Sequence, residues 1–364
     1  MPIRAVALVA AILAVAGSCS AADIVLLLKE ADAVVVATPT AFVDHSDAAT
    51  ITLSVSSWLS AGSGNAVEVV WDAPPEMGRH SRVAGRFVPG IWFLKRLPDG
   101  RYEPIVLGGM GFGDLYFPVP PAANRAAAFG YGPNTPVAER IALDLAAAAA
   151  TETAADLPGP MVGATTKLAR LPRVRDACAY LAQMPGSRQK AIGLACLINA
   201  GDPAGIAGLE NNLAGMDERD LVAILPQALF GWTGSDPAAV TSLGRIATSP
   251  ATPYQVAWGA GKALSYVHTV EALPYLAELL YSEDREMRIG GVFGLWAFAN
   301  GMPVVGGAGS DDPEYWKPSP TRWGEATIRF NVGVASADAD IEKCVAFWQD
   351  WWQTNQKVVQ SGAR

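Results

Sequence analysis

Asp202-Pro203-Ala204 recurs 34 residues later as Asp236-Pro237-Ala238, and the reading of this pair of stretches decides the fold. Five residues beyond each Pro-Ala stands a leucine, Leu209 and Leu243, and Leu276 continues the register after His268-Thr269. A second marker runs between them: Cys196-Leu197, Ala228-Leu229, Ala263-Leu264 and Gly294-Leu295 each place a small residue before leucine. Two markers at one period of about 33 residues describe an internal repeat. Each part has a physical task. Aspartate accepts N–H bonds at a helix start, and proline in the first turn forfeits no needed hydrogen bond. Leucine fills a core, and the small residue lets paired helices approach closely. The spacing predicts helix pairs at 172–199, 203–231, 237–267 and 270–299. A single pair cannot bury its apolar face, so neighbouring pairs must stack into an α-solenoid.

Ser282-Glu283-Asp284-Arg285-Glu286-Met287-Arg288, followed by Ile289-Gly290-Gly291-Val292, resembles the inter-helix turn of a HEAT or phycobilisome-lyase-like repeat. In that family an acidic turn precedes a valine-arginine pair on the second helix. Met287-Arg288 matches this pair, whereas Gln255-Val256 in the preceding repeat lacks the arginine. The resemblance implies the fold and a docking role. It brings no lyase activity, because many repeat proteins carry the motif as architecture alone.

Beyond the repeats, 301–319 is rich in glycine, proline and acid and reads as a loop. Ile341, Cys344, Val345, Trp348, Trp351 and Trp352 then fall at helical spacing. With Trp316, Trp323 and Phe330, this helix is expected to cap the open end of the solenoid. The alternative is an aromatic platform for glycan formed by Trp316, Trp323, Trp348, Trp351 and Trp352. Phe347 to Trp352 also resembles the tryptophan-rich tail of some exported bacterial HEAT proteins.

Before the repeats the period changes from helical to two. Val34-Val35-Val36, then Ile51, Leu53 and Val55, then Val67, Val69 and Trp71, Ile91 to Leu94, and Tyr102, Ile105 and Val106 mark five short strands. Strict alternation, as around Ile51 to Val55 and Val67 to Trp71, is expected to place one face on a core and the other in water. Pro98-Asp99-Gly100 supplies hairpin-turn chemistry between the last two. Five short strands suggest a small closed barrel. Glu30-Ala31-Asp32 running into Ala33 to Val36, and Pro89-Gly90-Ile91-Trp92-Phe93-Leu94 before Gly100-Arg101-Tyr102, resemble an OB-like barrel of the netrin or metalloprotease-inhibitor type. Such inhibitors place a disulfide-bonded N-terminal cysteine in a zinc site. No cysteine lies between Ala21 and Ala177, which removes that route. An OB-like barrel also binds oligonucleotides or sugars, with Trp58, Trp71, Trp92, Tyr102 and Phe112 as stacking candidates. Core positions are the default for Trp71 and Trp92.

Arg4, the apolar run Ala5 to Gly17 and the small residues Ser18 to Ala22 read as a secretory signal at 1–22. Ala16-Gly17-Ser18-Cys19 resembles a lipoprotein cleavage box, which would tether the chain by lipid at Cys19. The expected location is periplasmic or extracellular. An oxidising compartment permits a disulfide between Cys178 and Cys196, against the alternative of two buried thiols. A net charge of −8 without a basic stripe argues against nucleic acid, and no later apolar run is long enough for a transmembrane helix.

Catalytic chemistry needs a base beside a nucleophile or metal. The three histidines, His45, His80 and His268, make no metal-binding spacing, and no GxSxG or P-loop occurs. Gly108 to Gly113 departs from GxGxxG, Asp44-His45-Ser46-Asp47 reads as a turn, and Asp311, Asp312 and Glu314 lack the alternation of a calcium loop. No cofactor or metal is implied. The expectation is a two-domain α+β protein: an OB-like barrel at 23–120, a linker with a helix at 121–170, a HEAT-like solenoid at 171–300, and a loop with a capping helix at 301–364. Its expected role is a non-enzymatic scaffold for protein partners, with a glycan- or ligand-binding module as the alternative.

Overall fold

The alternating apolar residues of the N-terminal half close a sheet on itself. The computed structural model describes residues 24–45, 48–60, 62–72, 88–105, 115–119, 126–151, 168–232, 234–299 and 338–361. The signal-like stretch with Cys19, the 108–113 loop with Phe112, the acidic group at 311–314, and Trp316 and Trp323 lie outside them. The chain divides into two units, one running to Leu181 and one from Ala182.

In the first unit, strands β1 (Ala33–Asp44), β2 (Ala49–Trp58), β3 (Ala66–Trp71), β4 (Gly90–Arg96) and β5 (Tyr102–Pro104) pair in the order β1-β2-β3-β5-β4. β4 returns to pair with β1, from Ala33 opposite Leu94 to Ala37 opposite Gly90, and the five strands form a closed barrel. Among the described residues, β3 and β5 run parallel and the other strand pairs are antiparallel. This order is compatible with the OB-like expectation. β6 (Phe117–Pro118) adds to the end of β4. Pro39, which has no N–H to give a ladder, sits at a register shift in β1. Gly100 adopts φ +89° in the 98–100 turn and donates to the Leu97 carbonyl at 3.0 Å, a conformation that requires glycine.

Val35, Ile51, Leu53, Val69, Trp92 and Leu94 fill the barrel and are fully buried. Trp92 stacks on Tyr116 at 4.6 Å between ring centroids, and its Nε1 donates to the Ala37 carbonyl. β2 alternates buried and accessible residues as expected. β1 and β4 do not: Ala33 to Ala37 and Gly90 to Leu94 are buried on both faces. The outer face of β4 is covered by helix α1 (Ile24–Glu30), which buries Ile24 and Leu27, and by Phe117, edge-on to Phe93 at 6.1 Å. A strand covered twice reads as a continuous apolar run, which is the pattern of Ile91 to Leu94.

Helix α2 (Val137–Ala149) lies in the region expected to be a linker with a helix. It packs on α1 and β6, and every residue from Ile141 to Ala149 is buried. Its alanines permit that close approach. Arg140 and Arg173 hold the preceding turn by donating to the carbonyls of Thr135 and Gly130. α3 (Pro172–Ala182) follows and ends at the boundary between the units, so the expected pair 172–199 is divided there.

The second unit contains α4 (Ser187–Asn199), α5 (Pro203–Asn212), α6 (Glu218–Phe230), α7 (Pro237–Thr248), α8 (Tyr254–Val267), α9 (Leu273–Leu279), α10 (Arg285–Ala299) and α11 (Asp338–Gln360). From α4 to α10 the helices form two layers: α4, α6, α8 and α10 pack in succession, as do α5, α7 and α9. Leu209, Leu243 and Leu276 are fully buried, as are Cys196, Ala263 and the marker leucines Leu229, Leu264 and Leu295. Asp202 Oδ1 accepts from Ala204 N at 3.0 Å and Asp236 Oδ1 from Ala239 N at 2.9 Å. Removing the second cap, Asp236→Ala, is expected to cost about 1 kcal/mol, read as a lower urea midpoint at an unchanged slope. The last short helix starts later than 270 because a 3₁₀ turn, Val270–Ala272, precedes α9. His268 ends α8 in the left-handed conformation, φ 51°, with Nε2 3.0 Å from the Ser265 carbonyl oxygen.

Candidate functional site

α11 packs against α9 and α10, and its tryptophans divide by its two faces. Trp348 is fully buried, Trp351 is buried against it at 5.3 Å between centroids, and Trp352 is half-buried. Gln349 Nε2 donates to the Leu280 carbonyl at 3.2 Å. The glycan-platform reading of Trp348 and Trp351 is corrected: both rings lie in the interior. Their i, i+3 spacing is that of one inward helix face, and an inward ring cannot stack on a sugar.

The barrel aromatics follow their default reading as core residues rather than the stacking alternative. Trp71 and Trp92 are core residues. Trp58 and Tyr102 are half-buried, and Trp58 Nε1 donates to the Gly64 carbonyl at 2.7 Å, fixing the turn after β2. Cys178 and Cys196 are both fully buried thiols and do not form the disulfide considered above. Each stands on an inward helix face where a small apolar side chain fits, as does Cys344 of α11. His45 lies beside β2, with Nε2 3.4 Å from Thr50 Oγ1. Among the described residues no group of three or more His, Cys, Asp or Glu is placed to hold a metal ion. No described helix is long and apolar enough to cross a membrane.

Features that no sequence marker announced line the helix layers of the second unit. Phe230 of α6 stacks on Trp258 of α8 at 6.2 Å, Tyr266 meets Phe293 of α10 at 5.5 Å, and Phe293 meets Trp296 at 5.8 Å. Lys262 Nζ lies 5.8 Å over the Trp258 ring and 3.5 Å from Glu286. Charged groups also tie successive pairs: Arg188 to Asp220 at 3.5 Å, and Arg288 to Glu342 of α11 at 2.8 Å. Arg288 Nη1 donates to the carbonyls of Ser282 and Glu283 and so clamps the turn before α10. Asp284 caps α10 through Met287 N and accepts from Tyr254 Oη at 3.0 Å. Burial and the Asp284 carboxylate push the Tyr254 hydroxyl up to about 12, which keeps it a donor at ordinary pH.

A groove of about 490 Å³ runs along the C-terminal turns of α5 and α7. Glu210 and Arg245 form a two-pronged ion pair across it, with Arg245 Nη2 2.9 Å from Glu210 Oε2 and 3.2 Å from Ser242 Oγ. The hydrogen-bonded guanidinium holds the Glu210 carboxyl below the usual range, and the carboxylate raises Arg245 in turn. A carboxyl lowered on folding stabilises the fold above its unfolded pKa, and that contribution disappears as pH falls through the depressed value. Glu210→Gln is therefore expected to narrow the difference in melting temperature between pH 7 and pH 3. Equal narrowing by Glu218→Gln, an exposed residue of α6, would remove the pair as the cause. Leu213, Ala214, Thr248, Ser249 and Thr252 also line it. No protein-family model, curated protein or solved structure matches the chain.

Proposed function

We propose that this chain is an exported, non-enzymatic scaffold whose second unit is a HEAT-like α-solenoid that docks protein partners. The observation that supports the reading is the uninterrupted succession of α4, α6, α8 and α10 in one layer, backed by α5, α7 and α9. A layer of stacked helices offers an extended surface whose side chains repeat at the period of the pairs, which suits a long protein ligand. Exposed Gln227 and half-buried Phe230, Trp258 and Tyr266 mix polar and aromatic character along it. Aromatic anchors within a polar surround are the usual composition of a protein-docking face. Export rests on the charged, apolar and small-residue order of 1–22 and places the scaffold in the periplasm or outside the cell.

The test is crosslinking of the full-length protein in its native envelope, followed by identification of adducts. A single dominant partner is expected, and Gln227→Arg on the proposed face is expected to weaken its recovery at least threefold without changing the melting curve. Recovery of no adduct, or adducts indifferent to Gln227→Arg, would overturn the reading.

A further inference from the structure

We draw no further inference here: the strongest candidate, the exposed Tyr254 and Tyr281 beside the 280–284 turn between α9 and α10, carries nothing because nothing in the structure shows what covers these two rings.

Discussion

Trp348→Ala is expected to lower the unfolding free energy of the second unit by about 3 kcal/mol. Truncating a buried tryptophan typically costs about 3–5 kcal/mol through lost transfer energy and the cavity left behind. Here the loss is partly offset, because Trp348 Nε1 is buried without a hydrogen-bond partner and its removal ends that penalty. The offset supplies its own control. Trp348→Phe keeps an apolar ring and deletes the N–H, and is expected to cost less than about 1 kcal/mol. Trp352→Ala, at the half-buried position, is expected to fall in the same small range. Urea unfolding followed by far-ultraviolet circular dichroism measures all three. If Trp348→Ala and Trp352→Ala proved equal, α11 would not be packed through its Trp348 face.

Two adjacent glycines of α10 are expected to respond with opposite signs. A Cβ on Gly291 would lie 2.6 Å from the Leu276 carbonyl oxygen and 3.3 Å from Leu279 Cβ, so α9 must move to admit it. Gly291→Val is expected to cost about 3 kcal/mol, the upper part of the range for overpacking a tight interior. A Cβ on Gly290 would meet only the Gly261 carbonyl oxygen, at 3.8 Å, which is ordinary contact. Gly290→Ala is therefore expected to stabilise by about 0.5–1 kcal/mol, the difference in helix propensity. Thermal melts of the two variants decide the matter. A destabilising Gly290→Ala would show that α10 is approached on both sides.

The helices were legible because their signals are local. Asp202 and Asp236 cap through their own helix, so the pattern Asp-Pro-Ala states a start wherever it stands. The small-before-leucine marker had a deeper basis than its short form suggests: Gly294 sits where a Cβ would lie 3.1 Å from Ser265 Cα and 2.6 Å from Leu276 Cδ2. The barrel strands were legible from alternation in β2 and β3. β4 carries an apolar run instead, because its second face is covered by α1 and Phe117, distant partners that a local pattern cannot name. α2 falls within 121–170, expected to be a linker with a helix; its burial was not legible because a run of alanines carries little amphipathic signal, yet alanine is what such burial needs.

Chemistry was the least legible layer. Tryptophans at helical spacing announce an inward stripe and an exposed platform in the same letters, and only the packing of α11 on α9 and α10 separates them. The groove's parts, Glu210, Arg245 and Thr252, come from separate turns and have no common motif. By itself, the sequence determined the Asp-Pro helix starts, the strand segments and the 98–100 turn, all of which depend on neighbours a few residues away. The tertiary structure alone decided barrel closure through β1 and β4, the inward facing of Trp348 and Trp351, and the pairing of Glu210 with Arg245. Each of these depends on groups that meet only after the chain has folded, because they stand tens of residues apart in the sequence.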